Sequence, residues 1–419
     1  MPEGQPVHDH DSAEGLIPFE EARSRALSGI EPLPPIHLPL RDAHGLALAE
    51  EVRTPRDLPP FPSSAMDGYA VRSADVAGAS ADEPVALRVV GRVLMGARPE
   101  VPVGPGEAVE IPTGGAIPSG ADAVVPIEAS APDGEAVSVL QASSSGQHVR
   151  PAGEDVPAGG VLLESGRALG GPELGLIASA GIPEVMVRPR ARVGIVSTGD
   201  EVVRPEEPAG YGQIYDANAF TLHGAVVEAG GIPLDLGPIP DDPARLLETV
   251  DRRSDEVDLI VSSGGVSVGE RDPVKAAFRD RGDVVFLEVA MQPGKPQALG
   301  RIGDRPYFGL PGNPVSVFVS FEAFVRPALR TLMGLPAARL EVPALLETDL
   351  RGPRDKTMFA RVRCRWEGDR WVAASTGPRQ SNLLATVARA NGLAVLPAGV
   401  ESLAPGETCT VILFREDWE

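Results

Sequence analysis

The chain has little cysteine: Cys364 and Cys409 are the two among 419 residues. Two thiols cannot build a disulfide framework or a thiolate metal cluster, and these form no metal or redox motif. Both lie in β-like stretches and read as small core residues. Positive charge is also short, with 38 Lys and Arg against 59 Asp and Glu and a net charge of −21. Nucleic acid and anionic membrane are therefore disfavoured as main partners. An anionic ligand must be held by local features such as helix N-termini, against the overall field. No run of apolar residues is long enough for a membrane helix, and the N-terminus has neither a basic n-region nor an apolar h-region. The expectation is a soluble cytoplasmic protein.

What is abundant is glycine and proline, 47 and 43 residues, which with few aromatics predicts many turns and joints. The length fits about three domains. Residues 1–16 read as a polar tail in which His8-Asp9-His10-Asp11 is solvated. Spacing of Phe19, Ala22, Ala26 and Ile30 predicts a helix over 18–29, and another is expected over 172–181. The segment Gly45–Val52 fits a short helix or a strand. Short apolar runs between Gly and Pro turns from 84 to 150 predict a small β domain, with a hairpin signal at Asp67-Gly68. From about 190 strands alternate with helices, which implies a parallel sheet covered on both faces and ligands beyond its carboxyl ends. From 340 the pattern is β again and predicts a small antiparallel barrel. In it Ala360, Val362, Cys364 and Trp366 alternate with Arg361, Arg363 and Arg365, whose simplest reading is a solvated face.

The α/β region centres on one stretch. Val257-Asp258-Leu259-Ile260-Val261 reads as a buried strand, and the Gly/Ser-rich run Ser262–Asp272 leads into a helix at Pro273. Asp is a good N-cap and Pro suits the first helical position. Free backbone N–H groups and a helix dipole suit an anion there. Three loops, Ser197–Glu201, Ser262–Asp272 and Gly309–Ser316, should meet at one edge. Asp200, Glu201, Asp241, Asp242, Glu270 and Asp272 come with them. Mg²⁺ takes one or two carboxylates plus substrate phosphates and water, so the set suits a magnesium-bound phosphate ester or anhydride. Each residue also has a plainer role. Asp242 before Pro243 and Asn313 before Pro314 read as caps, Asp272 is cap or ligand or both, and Asp67 and Thr113-Gly114 fit simple turns.

In chain order, Pro62–Ala70, Thr113-Gly114, Gly153-Glu154-Asp155, Ser197–Glu201, Gly212–Asn218, Ser262–Asp272 and Gly309–Ser316 resemble the motifs of the molybdopterin molybdenumtransferase family, which includes the gephyrin C-terminal region. The resemblance runs from about residue 17 to 415. It implies a multidomain α/β and β protein in four parts: a discontinuous helical or linking domain (17–56 and 151–188), an inserted small β domain (57–150), a central three-layer α/β/α molybdopterin-binding domain (189–336) and a C-terminal β barrel (340–419).

The implied reaction takes adenylylated molybdopterin and molybdate to molybdenum cofactor and AMP, with Mg²⁺ or another divalent cation, in a homodimer, and the molybdopterin adenylyltransferase is a further partner the resemblance suggests. The implied catalytic set is Glu201, Asp272, Asp67, Thr113 and Asp200, with Asp67 and Thr113 serving the partner's cleft. Asp241, Glu201 and Asp272 are the implied metal ligands. Substrate contacts fall on Ser262, Gly264, Gly265, Ser267, Arg271, Lys275, Lys295, Pro311, Gly312, Asn313, Pro314 and Ser316, with Arg271 and Ser316 on molybdate. Two departures remove positive charge: Gln292 and Glu288 stand where relatives carry lysines, leaving Lys295 and Lys275 as cationic candidates. The competing readings are molybdopterin adenylylation and a gephyrin-like scaffold.

Overall fold

The computed structural model describes residues 15–266, 273–278 and 284–417. The chain forms two compact units, residues 37–187 and residues 1–36 with 188–419.

The 37–187 unit carries a six-stranded sheet. Its strands are β1 (Gly68–Val71), β2 (Val85–Arg92), β3 (Glu107–Ile111), β4 (Ala123–Pro126), β5 (Ser130–Asp133) and β6 (Ala136–Val139), in the order β4-β1-β3-β2-β6-β5. Successive side chains on a strand point to opposite faces. Tyr69 and Val71 accordingly enter one apolar cluster and Ala70 another. Asp67-Gly68 is not a hairpin turn. Ser63–Ser64 pairs with Val149–Arg150, while β1 pairs with β3 and β4. Gly68 is needed for a close approach instead: a Cβ there would lie 2.0 Å from the Val125 carbonyl oxygen. A second core in this unit draws Leu46, Leu48, Leu58, Leu169, Ile177 and Val187 from two separated segments. One α-helix, Gly171–Ser179, packs into it, and Val52–Arg53 is a short strand paired with Val161–Leu163.

The larger unit starts with α1 (Phe19–Leu27). Phe19 packs at 5.8 Å from Phe324 and 5.1 Å from Phe359. Then come β7 (Arg192–Thr198), α2 (Ala217–Ala229), β8 (Ile232–Ile239), α3 (Pro243–Arg253), β9 (Leu259–Ser263), α4 (Pro273–Phe278), β10 (Val284–Gln292), β11 (Pro296–Ile302) and β12 (Arg305–Leu310). The order in the sheet is β8-β7-β9-β12-β11-β10. The first four strands are parallel, as expected. β11 runs antiparallel to both its neighbours, β12 and β10, through tight turns, so the sheet is mixed. Helix α2 packs with the helical run α5 (Pro314–Ser320), a π turn (Phe321–Val325) and α6 (Arg326–Leu332). Helix α3 packs with α4, and Val196 and Ile260 of the sheet join their core.

The C-terminal strands β13 (Leu340–Leu346), β14 (Thr357–Glu367), β15 (Arg370–Ser375), β16 (Gly392–Leu396) and β17 (Thr408–Leu413) close into a barrel in the order β14-β15-β13-β17-β16, with β16 returning to β14. A short helix, α7 (Leu384–Ala388), precedes β16. Ala360, Val362 and Cys364 line the barrel core, with Cys409. Burial pushes both thiols up to about 11, which suits small core residues rather than nucleophiles. Arg363 and Arg365 reach Asp417 and Glu347 at the surface. Arg361 does not share that solvated face: it is 4% exposed and bonded inside a loop. Trp366 departs too, being half exposed against Trp371.

Candidate active site at the strand ends

The chain leaves β7 for β8 on one side and then returns past β7 to β9 on the other. Such a reversal opens a crevice beyond the carboxyl ends of the strands. A cleft of about 500 Å³ lies there. All four parallel strands contribute to it. Ser197, Thr198, Gly199 and Glu201 follow β7, Asp241 follows β8, Ser263–Val266 end β9, and Pro311–Pro314 follow β12. The chain entering α2, Ile214–Asn218, forms a wall with Pro296 of β11.

Local chemistry fixes each wall. Asp216 caps α2 by accepting from the Ala219 N–H at 2.9 Å. Two residues on, Asn218 Nδ2 donates to the Gly312 carbonyl at 2.8 Å. Its Oδ1 is buried and has no hydrogen-bond partner among the described residues. Gly264 N–H donates to Leu310 O at 3.0 Å, tying the end of β9 to the end of β12. Gly264 has φ +91°, and a Cβ there would stand 2.7 Å from the Thr198 carbonyl oxygen. Only glycine accepts both constraints. Asp242 caps α3, accepting from the Ala244 and Arg245 N–H groups at 2.9 and 3.4 Å. That cap leaves the neighbouring Asp241 to line the cleft, while its backbone N–H donates to Asp200 Oδ1 at 3.1 Å. Asn313 occupies the cap position of α5 but makes no side-chain cap bond.

The expected residues are distributed as follows. Glu201, Asp241, Gly264, Gly265, Pro311, Gly312, Asn313 and Pro314 line the cleft together. Asp200 stands behind Asp241. Ser262 is fully buried in β9, its Oγ 2.6 Å from the Tyr307 hydroxyl, and Ser263 lines the cleft in its place. Ser316 is buried within α5, and Lys275 sits on α4. Lys295 Nζ pairs with Glu288 at 2.9 Å, so the substitution that removes one family lysine also occupies the remaining one. Ser267, Glu270, Arg271, Asp272 and His8–Asp11 lie outside the described residues. Asn218, Ser263 and Pro296 were not anticipated; the Gly212–Asn218 motif was the signal for the first.

In the 37–187 unit, Asp67 Oδ1 accepts from Thr113 twice, from N–H at 2.6 Å and from Oγ1 at 2.9 Å. The backbone bond is the main cause holding the Asp67 carboxyl below its ordinary 3.8, with the hydroxyl bond adding to it. A depressed carboxyl contributes above its unfolded value and is lost as pH falls through its folded value. A carbon-13 titration of the Asp67 carboxyl should therefore show a midpoint below 3.8, returning toward 3.8 in Thr113→Ala.

Comparison with known proteins shows which family the chain belongs to. Three family models match in sequence order: MoeA N-terminal region (domain I and II) over residues 17–181, probable molybdopterin binding domain over 194–331, and MoeA C-terminal region (domain IV) over 343–414. Molybdopterin molybdenumtransferase 2 of Mycobacterium tuberculosis (strain ATCC 25618 / H37Rv) is 42% identical over 379 residues, 89% of this chain and 93% of its own. The chain belongs to the molybdopterin molybdenumtransferase family. Molybdopterin molybdenumtransferase of Bacillus subtilis (strain 168) is 35% identical over 90% of this chain and 89% of its own. The molybdopterin biosynthesis MoeA protein of Pyrococcus horikoshii OT3 superposes with a TM-score of 0.82 at 30% identity, covering 95% of this chain and all of that one. The molybdenumtransferase family thus accounts for the small barrel and mixed sheets, and no helix among the described residues is long and apolar enough to cross a membrane.

Whether a divalent cation fits depends on the donors. Among the described residues no group of three or more His, Cys, Asp or Glu stands together. Three carboxylates line the cleft, Glu201, Asp216 and Asp241; Asp216 caps α2, which leaves the pair Glu201 and Asp241 for a cation. That is the number Mg²⁺ uses when substrate phosphates and water complete its shell.

Proposed function

We propose that the chain inserts molybdenum from molybdate into adenylylated molybdopterin, forming molybdenum cofactor and releasing AMP. The cleft is the observation that carries this reading. Acidic groups stand on one part of its wall, Glu201 and Asp241, and backbone turns rich in Gly and Pro on another, Gly264-Gly265 and Pro311–Pro314. Gly265, Gly312 and Asn313 carry N–H groups of a kind suited to an oxyanion, and the turns put little side-chain bulk against a flat pterin. Asn218 lines the same cleft and holds an acceptor unpaired among the described residues. In the reaction, water cleaves the phosphoanhydride, AMP leaves with the adenylyl phosphorus, and the two dithiolene sulfurs bind molybdenum as one molybdate oxygen leaves as water with the two thiol protons. Glu201 and Asp241, with Asp272, would hold a divalent cation, which when bound neutralises charge on the phosphates. Glu201 also suits positioning of the attacking water.

This reading includes a homodimer in which the partner's Asp67 and the partner's Thr113 complete the cleft. Co-expressed Asp67→Ala and Glu201→Gln chains should then recover turnover that neither has alone; no recovery in mixed dimers would remove the shared site. For the reaction itself, purified chain with adenylylated molybdopterin and Mg²⁺ should release AMP and yield cofactor that reconstitutes a molybdoenzyme only when molybdate is added. Consumption of ATP with free molybdopterin instead would overturn the assignment in favour of adenylylation.

A further inference from the structure

Arg361 is a buried charge that the cleft does not use directly. Its guanidinium donates from Nε to Thr386 Oγ1 at 3.2 Å, from Nη2 to the carbonyls of Pro378 at 2.8 Å and Gln380 at 3.4 Å, and from Nη1 to the Arg379 carbonyl at 3.3 Å. One planar fork therefore gathers three successive carbonyls of the loop between β15 and α7. Arg379 pins the same loop from outside, donating to the carbonyls of Asp349 at 2.8 Å and of Arg351. Neither guanidinium has a carboxylate partner among the described residues, although the chain carries 59 acidic residues. A buried arginine without a counter-charge is costly. Ion pairing therefore does not explain it, and the shape it imposes on the loop does.

The curled loop reaches the chain just behind the cleft wall. The Ser381 carbonyl, next after the gathered three, accepts from the Val315 N–H at 3.0 Å. Val315 follows Asn313 and Pro314 in the cleft wall and is fully buried. From the other side, Asn218 holds the Gly312 carbonyl. The turn Gly312–Val315 is thus held between α2 and the barrel, and one turn further on Phe318 stacks edgewise on Phe414 of the barrel end at 4.9 Å.

We propose that Arg361 is a positioning residue for the molybdenum-insertion site: through the loop 377–383 it makes the C-terminal barrel a strut that sets the Gly312–Val315 turn against the substrate. The proposal rests on the functional reading above for its consequence in catalysis, while the strut itself is a statement about the fold. It gives the barrel, which lines none of the cleft, a part in the reaction.

The test uses the full chain with Arg361→Lys, which keeps the charge but loses the fork, and with Thr386→Val and Thr386→Ser. Hydrogen exchange by mass spectrometry reads residues 312–316 and the barrel strand β14 separately. In Arg361→Lys the 312–316 segment should exchange about tenfold faster with β14 unchanged, and KM for molybdate should rise about tenfold with kcat nearly constant. Thr386→Val should move both in the same direction, and Thr386→Ser, which keeps the hydroxyl, should restore them. Unchanged exchange at 312–316 overturns the strut. So does protection lost throughout the barrel, since Arg361 would then only hold the barrel together. If the wild-type chain releases no AMP with molybdate, the functional reading fails, and the exchange data still decide the strut.

Discussion

Gly264→Ala should abolish molybdate-dependent AMP release and lower the stability of the larger unit by about 3 kcal/mol, the sum expected for a left-handed alanine and an overpacked contact. Two independent constraints meet at this residue. Its φ of +91° is a conformation that an L side chain adopts at a cost, and the added methyl would sit 2.7 Å from a backbone oxygen of Thr198 and 2.8 Å from that residue's Oγ1. Neither β7 nor β9 can move away easily, because they are paired in register from Val193–Leu259 to Ser197–Ser263. The loop must therefore shift outward, breaking the Gly264–Leu310 hydrogen bond and spreading the cleft. Chemical denaturation reads the first effect, and an AMP assay at saturating molybdate reads the second. A variant of wild-type stability and activity would show that the strand ends are not packed as described.

Glu201→Gln should lower kcat by roughly a hundredfold while leaving the melting temperature unchanged. Glu201 lines the cleft, and its side chain has no hydrogen-bond or ion-pair partner among the described residues that Gln would lose. The change removes one charge and one metal-ligand oxygen in almost the same volume. Activity lost for want of a cation should be partly regained at higher Mg²⁺ concentration, so the Mg²⁺ concentration for half-maximal rate should rise. A full rate at ordinary Mg²⁺ would leave Glu201 as a wall residue only. Asp241→Asn should act in the same direction and, through the shared cation, not additively.

Much of this site is legible in the chain before any coordinates. The apolar run ending at Val261, the Asx-Pro helix starts and the acidic residues after β7 and β8 all follow from local rules, and the parallel strands bring Glu201 and Asp241 to one edge. What the local rules miss is set by long-range packing. β9 runs two residues further than its apolar stretch, to Ser263, because its backbone continues to pair with β7 and β12. Strand alternation then turns Ser262 toward Tyr307, and Ser263 lines the cleft. β11 escaped notice because Gly303-Asp304 is a turn between two ordinary strands, yet its first residue, Pro296, closes one wall. Alternation correctly sorted Ala360, Val362 and Cys364 from the arginines. It could not show that a loop from further along the chain would cover Arg361 and leave Arg363 and Arg365 outside. Asp67-Gly68 reads as a hairpin because the dipeptide favours one, but the close approach of Val125 is what requires the glycine.

The most direct test is to locate the metal. A crystal of the Glu201→Gln chain soaked with adenylylated molybdopterin and molybdate, measured at the molybdenum absorption edge, should give an anomalous peak inside the cleft between Gly264-Gly265 and Pro311–Pro314. The AMP moiety should lie within the same cleft. A molybdenum peak bound elsewhere, with the pterin absent from the strand ends, would contradict the assignment of this cleft as the insertion site.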